Sequence, residues 1–412
     1  MTTALSPAPA VGPVPTAPTA GTAPAPADDP ARAPGVGGPS LAAARPDPAD
    51  SDPRRALHEL ECWRADGRDA ARFPYGAVLG HYRTVGKNAV GAELLTVLRA
   101  VEPAVPAPAE TAGPAARLLT DWLPQVVDGT QGDYDSYLGS PVYASLARTG
   151  AGTEQVITAL LADLVATEAA TLPEAPAGRA RTRAALRALT AAAGLPAGCE
   201  AKGAPQTTQD GTADLVRACA EVVAAAREAV PSAVVRAVEL TLTPTTRCHD
   251  EQMFIRVIQI FEAVFAAVGR SIGAATEAVA AGRADRAREL LEGATRQVTG
   301  TSGVFRVLTT MPKDAFAVIR ANTDGRSAVQ SRAYRTVERS APELHGALLT
   351  SSLQECELQS VMSELDTAWG AMKRTHWGIT MKVIGTVRGT GGTAGASYLR
   401  EAAEARLFPA LG

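Results

Sequence analysis

The sequence predicts an all-α protein. Three observations carry that prediction. Apolar residues recur at three-to-four spacing along most of the chain after Pro53, which is the period of a helix with one buried stripe. Alternating apolar and polar runs of strand type are scarce, with Val238–Thr243 (VELTLT) the one stretch that reads as extended. Alanine is abundant, and it is the residue that costs least in a close-packed helix.

Residues 1–53 stand apart. They hold 12 of the 29 prolines within the first 50 positions and almost no large apolar residue, so the expectation is a disordered Ala/Pro-rich tail. From there, helices are expected over roughly 53–65, 74–86, 91–102, 113–126, 152–168, 176–194 and 212–229. They continue over 249–268, 271–281, 284–297, 303–320, 326–338, 342–384 and 394–406, with the longest of these open to a break. The Gly/Pro/Thr-rich stretch 195–212 is the best internal boundary. The expected organisation is therefore a tail (1–53), an N-terminal helical portion (54–230) and a helical core (231–412), the last two forming one unit.

Composition excludes several classes. Lys plus Arg is 40 against 43 for Asp plus Glu, so no broad basic face is available for nucleic acid or a polybasic membrane contact. No unbroken apolar run of spanning length and no secretory leader are visible. The five cysteines (62, 199, 219, 248 and 356) form no CxxC pair, which suits neither a disulfide framework nor a cysteine-rich zinc site. A cytoplasmic protein without nucleic-acid or membrane partners is expected.

The helix from 249 is the clearest element, with Met253, Phe254, Val257, Ile258, Phe261, Val264, Phe265 and Val268 on one stripe. His249, Asp250 and Glu251 open it. Adjacent helical side chains diverge, so the three do not converge on one metal ion. An N-terminal capping cluster, with acidic groups at the positive end of the dipole, is the plain reading.

His376 lies in WGAMKRTHWGITMKVIG, with Met372, Ile379 and Val383 at i−4, i+3 and i+7. An imidazole on an apolar helix face is either a hydrogen-bonded core histidine or an axial ligand to a heme. Downstream, RGTGGTAGASYLR (388–400) carries four glycines and two threonines. It lacks the GxxxxGK[ST] of a phosphate loop and the preceding strand of a dinucleotide loop. It reads either as a flexible turn or as a ligand-closing loop whose amides and hydroxyls meet a polar group.

In this order, HDEQMFI (249–255), FAVIR (316–320), a helix-borne His376 and GTGGTAGASYL (389–399) resemble tryptophan 2,3-dioxygenase and its relatives, the histidine-ligated heme-dependent aromatic oxygenases. The resemblance is strongest from about residue 248 onward. Before residue 230 it is loose, with YDSYL (134–138) similar to a dioxygenase N-terminal segment. The additional N-terminal helical portion is absent from simple tryptophan dioxygenases, and in this the chain looks more like the heme-dependent tyrosine hydroxylases of bacterial specialised metabolism.

The resemblance implies a tryptophan 2,3-dioxygenase-like helical bundle, noncovalent heme b, O2 or H2O2 as oxidant, and a dimer or tetramer. It implies His376 as the proximal ligand, with Gly391 and Gly392 in the loop that closes over the cofactor. Phe254 and Phe316 then line the pocket, Arg320 grips the substrate carboxylate and Thr390 meets its amino-acid end. A guanidinium fork suits a carboxylate, although on its own Arg320 reads as a surface ion pair. Ile258 stands where tryptophan dioxygenase has its distal histidine, which puts ring opening in doubt. His81, in GHYRTVGKN, is the candidate for a distal base. His249 is expected to orient local structure or a heme propionate, and His345 has no obvious role. Thr380 four residues after His376 excludes the covalent thioether variant, and the His58…Cys62 spacing reads as coincidence.

Hydroxylation of tyrosine or a derivative is the first expectation. Ring-opening dioxygenation of tryptophan or an indole comes second, and oxidation of a non-aromatic amino acid such as arginine third. A heme-binding sensor without turnover and a cofactor-free helical scaffold are the non-enzymatic alternatives.

Overall fold

A computed structural model describes residues 52–101, 113–127, 134–148, 150–195, 209–322, 331–351, 353, 355–383 and 396–409, all within one unit spanning Leu41–Gly412. No strand occurs among them. In chain order the α-helices are α1 (Pro53–Ala65), α2 (Tyr75–Val85), α3 (Ala92–Val101), α4 (Pro114–Val127), α5 (Tyr134–Leu138), α6 (Ser140–Arg148), α7 (Thr153–Thr171) and α8 (Arg179–Ala192). They continue as α9 (Gln209–Glu228), α10 (Ser232–Leu240), α11 (His249–Ala280), α12 (Ala284–Leu308), α13 (Lys313–Asn322), α14 (Arg332–Thr350), α15 (Glu355–Val383) and α16 (Ala396–Glu404). The all-α expectation holds. Expectations for the tail and for the glycine loop around 389–395 concern residues outside the described ones.

The central element is α11, packed by α12, α14 and α7. By length and apolar composition it would suffice to cross a membrane, yet here it is the buried axis of the bundle, from Met253 to Val279. Helices expected over 249–268 and 271–281 are one continuous helix. Gly269 does not interrupt it. A Cβ there would meet Thr336 Cγ2 at 3.3 Å, so the glycine is a notch that lets α14 approach.

Other boundaries differ for local reasons. The helix expected over 303–320 splits at Thr309–Pro312 into α12 and α13, because proline cannot continue the backbone ladder. Pro342 lies inside α14, which is capped by the Ser331 hydroxyl accepting from Tyr334 N–H, and the break in the long 342–384 pattern falls after Thr350. Helices α5, α6 and α10 were not expected. Val238–Thr243 is not extended. Its first half ends α10, and from Thr241 the chain is a buried irregular segment.

That segment, 241–248, ties the N-terminal helices to the core. Arg83 donates to the Leu242 and Glu239 carbonyls, Trp122 Nε1 to the Leu240 carbonyl and Gln125 Nε2 to the Thr243 hydroxyl. Lys87 N–H and Asn88 N–H donate to the carbonyls of Pro244 and Thr245. Gly86, at φ +80°, permits this approach, since a Cβ would lie 2.6 Å from the Thr246 carbonyl carbon. Irregular backbone can be buried only when its polar groups are paired, and here side chains and the Lys87–Asn88 backbone share the pairing.

Three contacts fix the direction of α14 along α11. Ser331 bonds Glu262, the Tyr334 ring lies 5.4 Å from Phe265 and Thr336 lies against Gly269. The partners rise together, so the helices run parallel. Trp369 of α15 stacks on Tyr334 at 5.3 Å and 25° and meets Phe265 edge-on at 5.4 Å. Tyr334 and Trp369 sit at matching distances either side of the α14–α15 turn, which requires an antiparallel hairpin. Thus α15 runs antiparallel to α11.

Candidate active site

The antiparallel arrangement determines where His376 falls. It lies seven residues after Trp369, while Ile258 lies seven residues before Phe265. At 1.5 Å per residue, both are about 10 Å from the shared aromatic contact and toward the same end of the bundle. Residues 118 positions apart in sequence therefore reach one level.

At that end the Phe254 and Phe316 rings meet edge-to-face, with centroids 5.7 Å apart at 78°. Both are only partly buried and pack on the core. Ile258 follows Phe254 by one helical turn, and Arg320 follows Phe316 by one turn on α13, each on the same helix face as its phenylalanine. Arg320 is half-buried. The sequence-predicted set thus divides. Phe254 and Phe316 touch across α11 and α13, Ile258 and Arg320 lie one turn further along those helices, and His376 lies toward the same end of α15. His81 is buried on α2, a different layer. Thr390, Gly391 and Gly392 lie outside the described residues.

The histidine's surroundings were tested for fit to the heme that the resemblance implies. Met372 one turn before it is buried and Ile379 packs on the core. Burial lowers the His376 pKa, so the neutral imidazole, with a lone pair available, is the dominant form at neutral pH. Among the described residues no donor or acceptor is bonded to its ring. None of the described residues form a cluster of three or more His, Cys, Asp or Glu suited to a bare ion. A neutral imidazole whose ring has no bonded partner among the described residues fits the role of holding such a heme. Trp377, next in sequence, has a buried indole N–H without a partner, an unused donor at this level of α15. His58 and Cys62 lie 3.7 Å apart on the exposed face of α1.

The His-Asp-Glu run behaves as diverging side chains should. His249 Nε2 lies 3.4 Å from Glu168, Asp250 pairs with Arg181, and Glu251 turns back onto the segment that precedes the helix. Glu251 accepts from the backbone N–H and hydroxyl of both Thr245 and Thr246 and from the Tyr137 hydroxyl. The acidic pair does sit in the first turn of α11, but no side chain makes a cap hydrogen bond there; the three side chains diverge to separate partners, and Glu251 holds the preceding segment instead.

Sequence reasoning missed what covers this part of α11. Helix α5, the YDSYL segment, places Tyr137 on Glu251 and Tyr134 on Glu262, the latter at 2.8 Å. Gln259 Nε2 donates to the Leu138 carbonyl. The short helix therefore spans the stretch of α11 containing Ile255 and Ile258. Two tyrosines at i, i+3 were the signal available in the sequence. The acceptors were invisible there, being more than 110 residues away.

Glu262 is held away from the ordinary carboxyl range. Burial raises its pKa from 4.5 to about 7, Asp135 adds repulsion, and the hydroxyls of Tyr134 and Ser331 oppose the rise. Tyr134 in turn is raised well above 10 by burial and by Glu262, so it remains a neutral donor.

Comparison with known proteins gives one informative similarity. A tryptophan 2,3-dioxygenase from Bradyrhizobium diazoefficiens is 24% identical over 235 residues, covering 41% of this chain and 84% of that protein. No family model matches. The similarity supports the tryptophan 2,3-dioxygenase-like superfamily at the level of all-α architecture and general class. It does not separate the family's reactions.

Proposed function

We propose that this chain is a heme-dependent oxygenase acting on an aromatic amino acid, with tyrosine or a derivative as the first substrate class. The observation that carries the reading is the convergence of a paired aromatic wall, Phe254 and Phe316, with Arg320 one turn beyond and a neutral His376 at the same end of the bundle. Arg320 would hold an α-carboxylate by a bidentate pair. The two rings would orient a flat side chain, because edge-to-face contacts favour a third ring in a definite plane. Ile258 would leave that wall apolar and exclude water.

Heme, held through His376, would supply activation of O2 or H2O2. The residues of the chain would set position and protonation. Ring-opening of tryptophan is the second reading, favoured by the similarity to a tryptophan 2,3-dioxygenase and opposed by Ile258, which offers no hydrogen bond to an indole N–H.

The test is reconstitution with heme and incubation with single amino acids. A product heavier by one oxygen atom supports hydroxylation, and one heavier by two supports ring opening. The substitution His376→Ala abolishes the heme absorption band if the ligand assignment is right. A colourless wild-type protein after heme supply, or full heme retention by His376→Ala, sinks it. Heme binding without any amino-acid-induced spectral shift or product points instead to a sensor.

A further inference from the structure

We propose that the N-terminal helical portion grips α13 at both of its ends, with Arg181 and Asn88 as the positioning residues that align Arg320 with a substrate carboxylate. The proposal rests on the amino-acid reading above and names what fixes the carboxylate-binding group of that site.

Helix α13 has little means of fixing itself. It is ten residues long, too short to be stable alone. Ile319 is the one buried residue along it, and Phe316 adds only a half-buried ring. Packing of that extent leaves both its rotation and its shift along α11 weakly defined, so its ends have to be held.

The leading end is held from α8. Arg181, 5% exposed, donates from Nε to the Thr310 hydroxyl at 3.0 Å and from Nη2 to the Thr310 carbonyl at 3.3 Å. The same hydroxyl donates its own proton to the Val307 carbonyl at 2.6 Å, so the turn between α12 and α13 is tied on both sides. Arg181 Nη2 also pairs with Asp250, one turn before Phe254, and Nη1 lies 3.6 Å from Glu168 of α7. A planar guanidinium can serve these separate directions at once, which a lysine ammonium on its flexible stem does not.

The trailing end is held from the turn after α2. Asn322, the last residue of α13, donates from Nδ2 to the Val318 carbonyl at 2.9 Å, and its Oδ1 accepts from Asn88 Nδ2 at 3.2 Å. Asn88 is anchored in turn. Its N–H donates to the Thr245 carbonyl at 3.2 Å, and Lys87 before it donates from its N–H to Pro244 and from Nζ to Gln125. Phe316 falls six residues after Thr310 and Arg320 two before Asn322, so both lie between the grips. Each grip also leads back to the start of α11, through Asp250 or through Thr245. Helix α13 and the Phe254 ring therefore share one frame. A guanidinium–carboxylate pair depends on angle as well as distance, and that frame is what would set the angle.

The experiment uses the full heme-loaded chain and measures binding of tyrosine and of tyramine by calorimetry. The two ligands share ring, hydroxyl and amine and differ in the carboxylate, so the ratio of their affinities reads the carboxylate contact. In the wild type tyrosine binds more tightly by roughly tenfold or more, and Arg320→Ala removes that preference. Asn88→Ala and Thr310→Val each lower the ratio by roughly threefold to tenfold, the worth of one neutral hydrogen bond, by weakening tyrosine and leaving tyramine unchanged. Thr310→Ser, which keeps the hydroxyl, restores the wild-type ratio. In the Arg320→Ala background neither substitution lowers the ratio further, as expected of residues that act through the arginine. Thr310 carries this arm because replacing Arg181 strands two buried carboxylates and endangers folding.

A change confined to one of the two variants keeps that grip and overturns the other. Thr310→Ser behaving like Thr310→Val overturns the Arg181 grip. An unchanged ratio in both Asn88→Ala and Thr310→Val, with Arg320→Ala still losing its preference, overturns the whole proposal and leaves the amino-acid reading standing. Equal weakening of tyrosine and tyramine shows a general loosening of the fold and overturns the positioning role. Wild-type protein that binds tyrosine no better than tyramine, or binds neither, overturns the carboxylate role of Arg320 and the grip on it together.

Discussion

Two glutamates on one stripe of α11 meet opposite fates. Glu251 and Glu262 each receive a tyrosine hydroxyl from the same short helix α5. Glu251, fully buried, also collects four donors from Thr245 and Thr246. Among the described residues Glu262 has the Ser331 hydroxyl besides its tyrosine, and burial raises its pKa to about 7. Residue type and tyrosine partner are the same. What differs is how many fixed donors face the carboxylate: five reach Glu251, which holds the 241–248 segment, and two reach Glu262 among the described residues.

The strongest way to break this comparison is to remove the Glu251 carboxylate. Glu251→Ala leaves four threonine donors and the Tyr137 hydroxyl without their acceptor at a site with no exposure. It should destabilise the fold by roughly 3 kcal/mol or more, read as a lower midpoint in urea unfolding. A loss under about 1 kcal/mol would show that the 241–248 segment holds its shape without the carboxylate. Arg256→Ala probes the same structural side. Its guanidinium is 1% exposed and bonds Asp163, Gln259, Thr241 and the Val238 carbonyl. Removing it strands a buried Asp163 at a cost of about 3–5 kcal/mol.

On the candidate-site side, effects should appear in ligand binding more than in folding. Arg320→Ala should weaken amino-acid binding by roughly tenfold to a hundredfold, the worth of a charge-assisted pair, with the urea midpoint little changed. A variant that binds as well as wild type would remove Arg320 from the site. Phe316→Ala should cost about 1–2 kcal/mol of stability, since the ring is only half-buried and its contact with Phe254 adds a modest increment. It should also weaken aromatic ligands more than aliphatic ones.

The smallest effect concerns pH. Glu262 has a higher pKa in the folded chain than its ordinary 4.5, so between 4.5 and about 7 the folded state binds more protons than the unfolded one. Its contribution to stability is present below that window and falls as pH rises through it. Glu262→Gln should flatten the decline in melting temperature over this range and melt higher than wild type at mildly alkaline pH. Parallel pH profiles for the two proteins would show that Glu262 ionises freely.

Much of the fold was legible because helical periodicity is local. The stripe from Met253 to Val268 identified α11 as the core helix, and α1 matches its expected span of 53–65. The misreadings arose where tertiary contact overrode local signals. Gly269 reads as a breaker in the sequence and is a packing notch against Thr336 in the fold. VELTLT reads as a strand and instead closes α10, then enters a segment paired by side chains from three other helices.

The site shows the same division. Sequence alone singled out the candidate residues: spacing placed an imidazole among apolar neighbours at His376 and Arg320 one turn after Phe316, while the resemblance, not spacing, marked Ile258 as the place of an absent histidine. Only the tertiary structure decided that Phe254 and Phe316 touch, that the antiparallel course of α15 brings His376 level with Ile258, and that Tyr134 sits on Glu262. Spacing along a helix fixes which side chains share a face. It carries no information about which faces meet, since that depends on the directions of helices separated by long stretches of chain.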